Sequence, residues 1–429
     1  MIRKGMFAIA CFCLMGISQA VRAQAPAPVA VKAGHLFDSK TGQMLAKQVV
    51  VIQGERITEV GPEDQVKIPA GAQVIDLSQA TVLPGLIDAH THMYDSLSSG
   101  ARVNTSKEAW TVSAVHEVKV DLLAGFTSAR DCATHGEGYG DVDVRNAINK
   151  GVIEGPRMQV ATRGIGGAGS DFIGAPGINI TGGQQTISGP AQARAIVREQ
   201  IRYGADVIKI FPSGGYSFNA KGELYVDPMM TLEEVQALVD EAHAHHRRVA
   251  AHTYGGDGLK YSVMAGVDTI EHAQGIDESE LNMMKQKGLY WDVTGYRYSL
   301  PEAIERDRKA TGGKYDLPAL FIKAYQKGLQ MNVPMMFGSG VDGDPYAHGD
   351  QYTEFEWLVK YGMSTSKVLQ LATLVDATGM NWQDDVGSLE KGKYGDLVAV
   401  SGDPLKDITE MRRVKFVMKG GKVYKNELK

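Results

Sequence analysis

Cysteine is scarce in this 429-residue chain. There are 3, and Cys11 and Cys13 fall inside an amino-terminal stretch that has the features of a removable leader. Cys132 would then be the one cysteine of the mature protein, so an intramolecular disulfide is excluded. The chain also lacks a long run of lysine or arginine, and its formal net charge is -5. Such a surface does not attract nucleic acid, which is therefore not an expected partner.

The amino terminus predicts export. Residues 1–4 are basic, residues 5–16 are apolar, and residues 21–23 offer the small side chains that a signal peptidase recognises. We expect a signal peptide over residues 1–23, with cleavage before Gln24. The apolar stretch is short for a membrane span, and an uncleaved anchor is the alternative. The expected location is secreted or periplasmic, with no stable membrane span in the mature form.

An apolar run over residues 81–92 delivers two histidines, His90 and His92. On a β-strand, side chains two residues apart leave the same face, so both imidazoles would point together toward the end of the strand. This geometry suits a metal ion such as zinc. Two imidazoles do not complete a site, however, and a histidine near an apolar run is often a core residue.

Further candidate ligands lie in or just after strand-like apolar runs downstream. They are Lys209, His252, His272 and Asp342. Helix-like stretches separate these runs, as in residues 231–244, where Thr231 is a candidate N-cap and Glu234 its capping-box partner. Alternating strands and helices predict an α/β fold, and at this length a (β/α)8 TIM barrel, in which the loops after the strands build one site.

The two ends of the chain follow another pattern. Residues 29–75 and 396–423 consist of short alternating runs between turn residues, without helix-length periodicity. We predict a small β-sandwich domain formed from both termini, with parts over 24–83 and 385–429, and the barrel over 84–384. A hydrophobic content of 43% is enough to bury a barrel core.

Lys209 lies in the middle of an apolar run, where an ammonium group is costly to bury without a partner. One interpretation is a lysine that pairs with a carboxylate or faces solvent. The other is a neutral amine that has reacted with carbon dioxide. The resulting carbamate has two oxygens, which could bridge two metal ions.

Together these motifs resemble the amidohydrolase superfamily, in its binuclear form with a carboxylated lysine. The branch it is most similar to contains Xaa-Pro dipeptidases, ochratoxin hydrolases and imidazolonepropionases. The resemblance extends from about Val31 to the end of the chain, and its motifs lie at residues 34–38, 83–92, 205–210, 249–252, 270–272, 342 and 387–398.

The resemblance implies a role for each candidate ligand. His90, His92 and Asp342 would hold one divalent metal ion, His252 and His272 a second, and N6-carboxylysine at Lys209 would bridge them together with a hydroxide. Two cations lower the pKa of the bridging water and polarise the substrate carbonyl. Asp342 would carry the proton to the leaving nitrogen. Zinc is the expected metal, although manganese, iron and cobalt fit the same ligands.

Other polar residues near the expected site are candidate substrate contacts, each with a plain structural alternative. They are His135, Tyr216, Tyr254 and His348. Arg130 and Asp131 match a family pattern that is usually structural. The histidines at 243, 245 and 246 end a helix, and we interpret them as solvated surface.

The expected function is hydrolysis of the amide bond of dipeptides or N-acyl amino acids by a homo-oligomeric metal-dependent enzyme. One departure affects this prediction: residues 166–169 read Gly-Gly-Ala-Gly, with alanine where peptidase-like members often carry histidine. Dipeptidase specificity therefore does not transfer directly. Hydrolysis of a cyclic amide or lactone is the alternative within enzymes, and a non-catalytic binding protein of the same fold is the alternative outside them.

Overall fold

The computed structural model describes residues 27–94, 105–169, 184–218, 224–314, 316–343 and 345–428. The leader predicted for residues 1–23 lies outside the described residues. Elements alternate along the middle of the chain, while strands alone occupy its beginning. This alternation is the one that the sequence pattern predicts.

The strands in chain order are β1 (Val29–Asp38), β2 (Gln43–Gln53), β3 (Arg56–Pro62), β4 (Gln73–Pro84), β5 (Leu86–Thr91), β6 (Phe126–Asp131), β7 (Arg157–Val160), β8 (Ile165–Gly167), β9 (Gln185–Ile187), β10 (Val207–Phe211), β11 (Ser213–Phe218), β12 (Leu224–Pro228), β13 (Arg248–Thr253), β14 (Thr269–His272), β15 (Tyr290–Asp292), β16 (Met335–Met336), β17 (Leu397–Val400), β18 (Phe416–Lys419) and β19 (Lys422–Asn426).

The helices are α1 (Lys107–Ala124), α2 (Gly140–Asn149), α3 (Pro190–Tyr203), α4 (Leu232–Ala244), α5 (Gly256–Ala265), α6 (Glu278–Lys287), α7 (Pro301–Thr311), α8 (Leu317–Met331), α9 (Tyr352–Lys360), α10 (Thr365–Gln370) and α11 (Asp376–Gly379). The capping box predicted for α4 is confirmed: Thr231 and Glu234 exchange side-chain and backbone hydrogen bonds at its start. Short 3₁₀ helices cover Arg297–Ser299 and Ile408–Arg413, and a π-helical turn covers Leu371–Val375.

Parallel strands form the centre of the molecule in two groups. One sheet has the order β16-β15-β14-β13-β10-β8-β9 and the other β5-β6-β7. Backbone hydrogen bonds from Ala89 to Phe337 and from His92 to Val341 join β5 to the segment after β16. Helices such as α4 pack buried leucine and valine side chains against these strands. The result is a TIM-barrel-like α/β fold.

The last parallel strand is shorter than its apolar run of residues 334–341 suggests, since β16 covers two residues only. At Gly338 a Cβ atom would overlap the Asp292 carboxylate, so the chain needs glycine there to pass close to β15. The segment nevertheless keeps its place beside β5, because Gly340 donates its N–H to the His90 carbonyl at 2.8 Å.

Strands from both ends of the chain share one seven-stranded sheet, ordered β19-β18-β17-β4-β1-β2-β3. A single residue, Gly85, separates β4 of this sheet from β5 of the parallel strands. A Cβ atom at Gly85 would overlap the Thr127 side chain, so only glycine allows this close passage. The terminal sheet is thereby connected directly to the strand that carries His90.

Candidate active site

Five of the six predicted ligands converge on the carboxyl ends of parallel strands. His90 lies in β5, Lys209 in β10, His252 in β13 and His272 at the end of β14, while His92 follows β5 directly. All are buried. The His90 ring centroid lies 5.1 Å from that of His92 and 4.7 Å from that of His272. A cavity of about 90 Å³ is lined by His92, Lys209, His252 and His272 among others.

Three imidazoles are oriented by hydrogen bonds from their Nδ1 atoms. His90 Nδ1 lies 2.6 Å from a Glu271 carboxylate oxygen, His92 Nδ1 lies 3.1 Å from the Ala133 carbonyl, and His272 Nδ1 lies 2.7 Å from Thr294 Oγ1. Thr294 Oγ1 donates its own proton to a backbone carbonyl, so it accepts one from His272. Each contact places the ring proton on Nδ1 and leaves Nε2 with a lone pair, which is the arrangement of metal-ligating histidines.

The Nε2 atoms of His90 and His92 lie 3.2 Å apart. Two lone pairs at this separation are stabilised by a shared cation. Burial is the largest cause that holds the pKa of His90, His252 and His272 well below the ordinary value of a histidine. The imidazoles are therefore neutral at pH 7, which is the form that binds metal.

The buried amine of Lys209 has no hydrogen-bond partner for Nζ among the residues that the structure describes. The centroid of the Phe211 ring lies 5.8 Å from Nζ. An unpaired ammonium in this position is costly, while a neutral amine or a carbamate between two cations is not. The orphaned nitrogen and the inward-facing Nε2 atoms thus fit a divalent metal site.

A different trio of potential ligands lies closest together in the described part of the chain: His90, Cys132 and Glu271, with ligand atoms within 4.8 Å of one another. We do not assign the metal to this trio. Glu271 already accepts from His90 Nδ1, and burial raises the pKa of the Cys132 thiol to about 12, so the thiol stays protonated. Glu271 lies on the Nδ1 side of His90 and orients its ring.

Glu271 is a functional residue that the sequence interpretation missed. It accepts hydrogen bonds from Arg130 at 3.0 and 3.2 Å and from the Thr269 hydroxyl. Burial disfavours its charge, but Arg130, Lys209 and Thr269 together hold the pKa of Glu271 below the ordinary value. The reasoning applied to Lys209, that a charge inside an apolar strand needs a partner, would have pointed to this ion pair as well.

Asp342 contacts Arg297, a residue of the cavity wall that the sequence did not point to. Its carboxylate pairs with the Arg297 guanidinium, which also donates to the Gly340 carbonyl at 2.8 Å and lines the cavity. Arg297 follows β15 and lies 45 positions before Asp342, so no local pattern connects the two. A second guanidinium, that of Arg306, lines the same cavity.

The four candidate substrate contacts fall in three places. His135 and Tyr254 line the cavity, and the His135 ring stacks on His92 with centroids 4.0 Å apart. Tyr216 instead lines an adjoining cavity of about 160 Å³ and donates its hydroxyl proton to Asp307 at 2.5 Å.

His348 lies away from the cavity, in a buried pair with Asp121 at 2.9 Å. Burial opposes its charge, but the Asp121 carboxylate raises the pKa of His348 to about 9. Its Nε2 lies 3.4 Å from the His92 carbonyl. The contact of His348 with substrate, which the sequence suggested, stays a prediction. The residue joins the loop after β16 to α1 behind a metal-ligand candidate.

Two other sequence features are also located. The side chains of His243 and His245 are 42% and 47% exposed and pair with Asp268 and Glu241, as a solvated surface would require. In the segment 166–169, Ala168 donates its backbone N–H to Ile187, and the described part of this loop brings no imidazole to the site. Among the described helices, none combines the length and apolar character needed to cross a membrane.

Comparison with known proteins identifies the same architecture. The model of the amidohydrolase family matches residues 81–424. Ochratoxinase of Aspergillus niger is 28% identical over 422 residues, covering 90% of this chain and 84% of the ochratoxinase. Imidazolonepropionase of Micrococcus luteus is 22% identical over 381 residues, covering 83% of this chain and 88% of that enzyme.

A solved structure of a Xaa-Pro dipeptidase with bound methionine in the active site superposes on this chain with a TM-score of 0.83. It shares 30% sequence identity, over 93% of this chain and 100% of the dipeptidase.

Proposed function

The chain belongs to the amidohydrolase family, and we propose that it hydrolyses the amide bond of dipeptides or N-acyl amino acids. It is a metal-dependent hydrolase of carbon–nitrogen bonds that acts on small molecules. The observation that carries the proposal is the convergence of four buried histidines beside one cavity, next to a Lys209 amine that has no hydrogen-bond partner among the described residues. The names of the similar proteins, ochratoxinase and Xaa-Pro dipeptidase, support this substrate class.

We assign His90, His92 and Asp342 to one divalent ion, and His252 and His272 to a second. Lys209, as N6-carboxylysine, would bridge the two. Zinc suits this mixture of imidazole and carboxylate ligands. When bound, two such ions supply a water molecule of lowered pKa as the nucleophile and polarise the scissile carbonyl.

The protein side chains orient the substrate and move the proton. Asp342 accepts the proton of the attacking water and transfers it to the leaving nitrogen, which must be protonated before it departs. Arg297 pairs with Asp342 and, with Arg306, presents positive charge to the cavity. A carboxylate of a dipeptide or N-acyl amino acid is the natural partner of such guanidinium groups. Tyr254 and His135 line the cavity as further contacts.

Several finer features belong to the same proposal. We infer that the parallel strands close into a (β/α)8 barrel over residues 84–384 and that the terminal segments 24–83 and 385–429 form a β-sandwich. We also infer export through a cleavable signal peptide to the periplasm or beyond, and assembly into a homo-oligomer. Mass spectrometry of the mature amino terminus and light scattering test these two inferences.

The decisive experiment combines metal analysis with a substrate screen. Purified wild-type protein should contain close to two metal ions per chain and cleave at least one N-acyl amino acid or dipeptide. Lys209→Ala should lose metal and nearly all activity, while Lys260→Ala, on the surface of α5, should retain both. Asp342→Asn should lower kcat by about 100-fold or more, since a proton-transfer group contributes about that much.

Two outcomes would redirect the proposal. Two metal ions with cleavage of lactones or cyclic amides, and none of linear amides, would favour the alternative substrate class. A protein that takes up no metal even when bicarbonate and zinc are supplied would contradict the catalytic assignment.

A further inference from the structure

A second, more apolar cavity adjoins the metal cavity. Its volume is about 160 Å³ and its walls include the side chains of Leu224, Ile276, Leu317, Leu320 and Phe321. These residues come from β12, the loop after β14 and helix α8. The metal-site assignment does not use any of them, and their apolar character indicates a site for an apolar group.

Two tyrosines connect the two cavities. Tyr254 and Tyr298 line both, and their hydroxyl oxygens lie 3.4 Å apart. The Tyr254 ring is also close to His252, with centroids 4.7 Å apart. A molecule whose amide lies at the histidines would therefore reach the apolar cavity across this tyrosine pair.

The size of the apolar cavity selects the group that fits. A cavity of about 150 Å³ lined by leucine, isoleucine and phenylalanine is large enough to bind benzene. The cavity described here is of the same size and has a similar lining. A methyl group would leave most of the cavity unfilled. One six-membered ring would fill it and make the van der Waals contacts with the lining that a smaller group cannot make.

One polar side chain in this wall is unsatisfied. Both carboxamide atoms of Gln274 are buried and, among the described residues, have no hydrogen-bond partner. The Asp307 carboxylate, which also lines this cavity, already accepts from Tyr216 and Arg306. Buried unpaired donors and acceptors are uncommon, and a ligand group that pairs with them explains their presence in a binding pocket.

We propose that this pocket binds a benzene-sized apolar group of the substrate, and that the Gln274 carboxamide hydrogen-bonds a polar group beside that ring. The inference rests on the proposed amide hydrolysis and specifies its substrate class: N-acyl amino acids or dipeptides with an aromatic group next to the scissile amide. The ring belongs either to the released amino acid or to the acyl group.

Substrates of matched chemistry separate these cases. N-acetyl-L-phenylalanine places the ring on the released amino acid, phenylacetylglycine places it on the acyl group, and N-acetylglycine has no ring. We expect kcat/KM for one of the aromatic compounds to exceed that for N-acetylglycine at least tenfold. Equal values for all three compounds would overturn the proposal.

Variants locate the effect in the pocket. Leu320 is 42% exposed at the pocket rim, so Leu320→Trp can be accommodated without refilling the core and should narrow the pocket. This change should reduce the aromatic preference at least tenfold. Gln274→Leu should reduce kcat/KM for the aromatic substrate about tenfold. Val112→Trp, on the exposed face of α1, is the control and should leave the preference intact.

Binding measured by calorimetry distinguishes this inference from the proposed function. Phenylacetamide, a ring beside an amide, should bind purified wild-type protein and Val112→Trp, bind more weakly to Gln274→Leu, and fail to bind Leu320→Trp. Such a pattern in a protein that cleaves no amide would support the pocket and contradict the function. Cleavage of amides without ring preference and without phenylacetamide binding would leave the function standing and overturn the pocket.

Discussion

Glu271 shows how a single buried carboxylate can orient a candidate metal ligand. It accepts from His90 Nδ1 at 2.6 Å and is itself held by Arg130. The carboxylate fixes the tautomer of His90 and turns Nε2 toward the cavity. Because Arg130 and Glu271 are both fully buried, removal of either charge is costly, although Asp292 lies 3.4 Å from the Arg130 guanidinium.

We expect Glu271→Gln to weaken metal binding by roughly 10- to 100-fold, the range typical for loss of a group that orients a ligand. Glutamine keeps the size of the side chain but not the charge that Arg130 and His90 require. Competition with a chromophoric chelator measures the change. Glu278→Gln is the matched control, because Glu278 forms an exposed pair with Lys327, and such pairs contribute little. Equal affinity in both variants would contradict the role of Glu271.

At the scale of elements, the backbone after β12 passes very close to Gly167 at the end of β8. A Cβ atom at Gly167 would overlap the Met229 carbonyl oxygen, which follows the β11–β12 hairpin. The hairpin returns over the end of β8, beside the strand that carries Lys209. Only glycine allows this approach, which is a packing reason for a glycine that the sequence presents simply as part of a glycine-rich run.

Gly167→Ala should therefore lower the free energy of unfolding by about 1–3 kcal/mol, the usual cost of forcing an extra group into packed structure. Gly215→Ala is a matched control in β11 of the hairpin, since a Cβ atom there meets nothing within 4 Å. Urea denaturation of both variants measures the difference. If the two variants are equally stable, the hairpin does not need the close approach.

The terminal sheet contains a lysine whose charge is unfavourable. Burial, followed by the nearby Arg157 charge, lowers the pKa of Lys419 from 10.5 to about 8, although its ammonium donates to the Gly155 carbonyl. The folded pKa lies below the unfolded one, so between pH 8 and 10.5 the unfolded chain binds more protons. The free energy of unfolding must rise with pH in that window, and below pH 8 the unfavourable charge is fully present.

Lys419→Met should lack this rise. Relative to the variant, the wild type should gain about 3.5 kcal/mol at most between pH 8 and 10.5, since each unit of pKa corresponds to about 1.4 kcal/mol. Chemical denaturation across this range measures the difference, and the comparison removes the contributions of groups that both proteins share. A constant difference at all pH values would show that Lys419 titrates normally.

At the scale of the whole molecule, the sequence predicted what depends on local pattern. The alternation of strands and helices indicated the α/β fold, and the His90-x-His92 spacing on β5 predicted two imidazoles on one face. The sequence did not predict contacts between segments that are far apart along the chain. Arg297 meets Asp342, and Asp121 meets His348 across 227 positions, only because the fold brings their loops together. The apolar cavity likewise depends on how α8 packs beside β12.

The candidate ligands are distributed from β5 to the loop after β16, so bound metal ions would connect parallel strands that are far apart in the sequence. A ligand that binds only the folded state stabilises it, by about 2.7 kcal/mol per site at 100 times its dissociation constant. Removal of metal by a chelator should therefore lower Tm, and added zinc should restore it. Lys209→Ala, which lacks the proposed bridging ligand, should respond much less. An unchanged wild-type Tm after chelation, with removal of the metal confirmed by metal analysis, would show that the ions do not connect these strands. Metal ions held by ligands from several strands of the folded protein must stabilise that folded state.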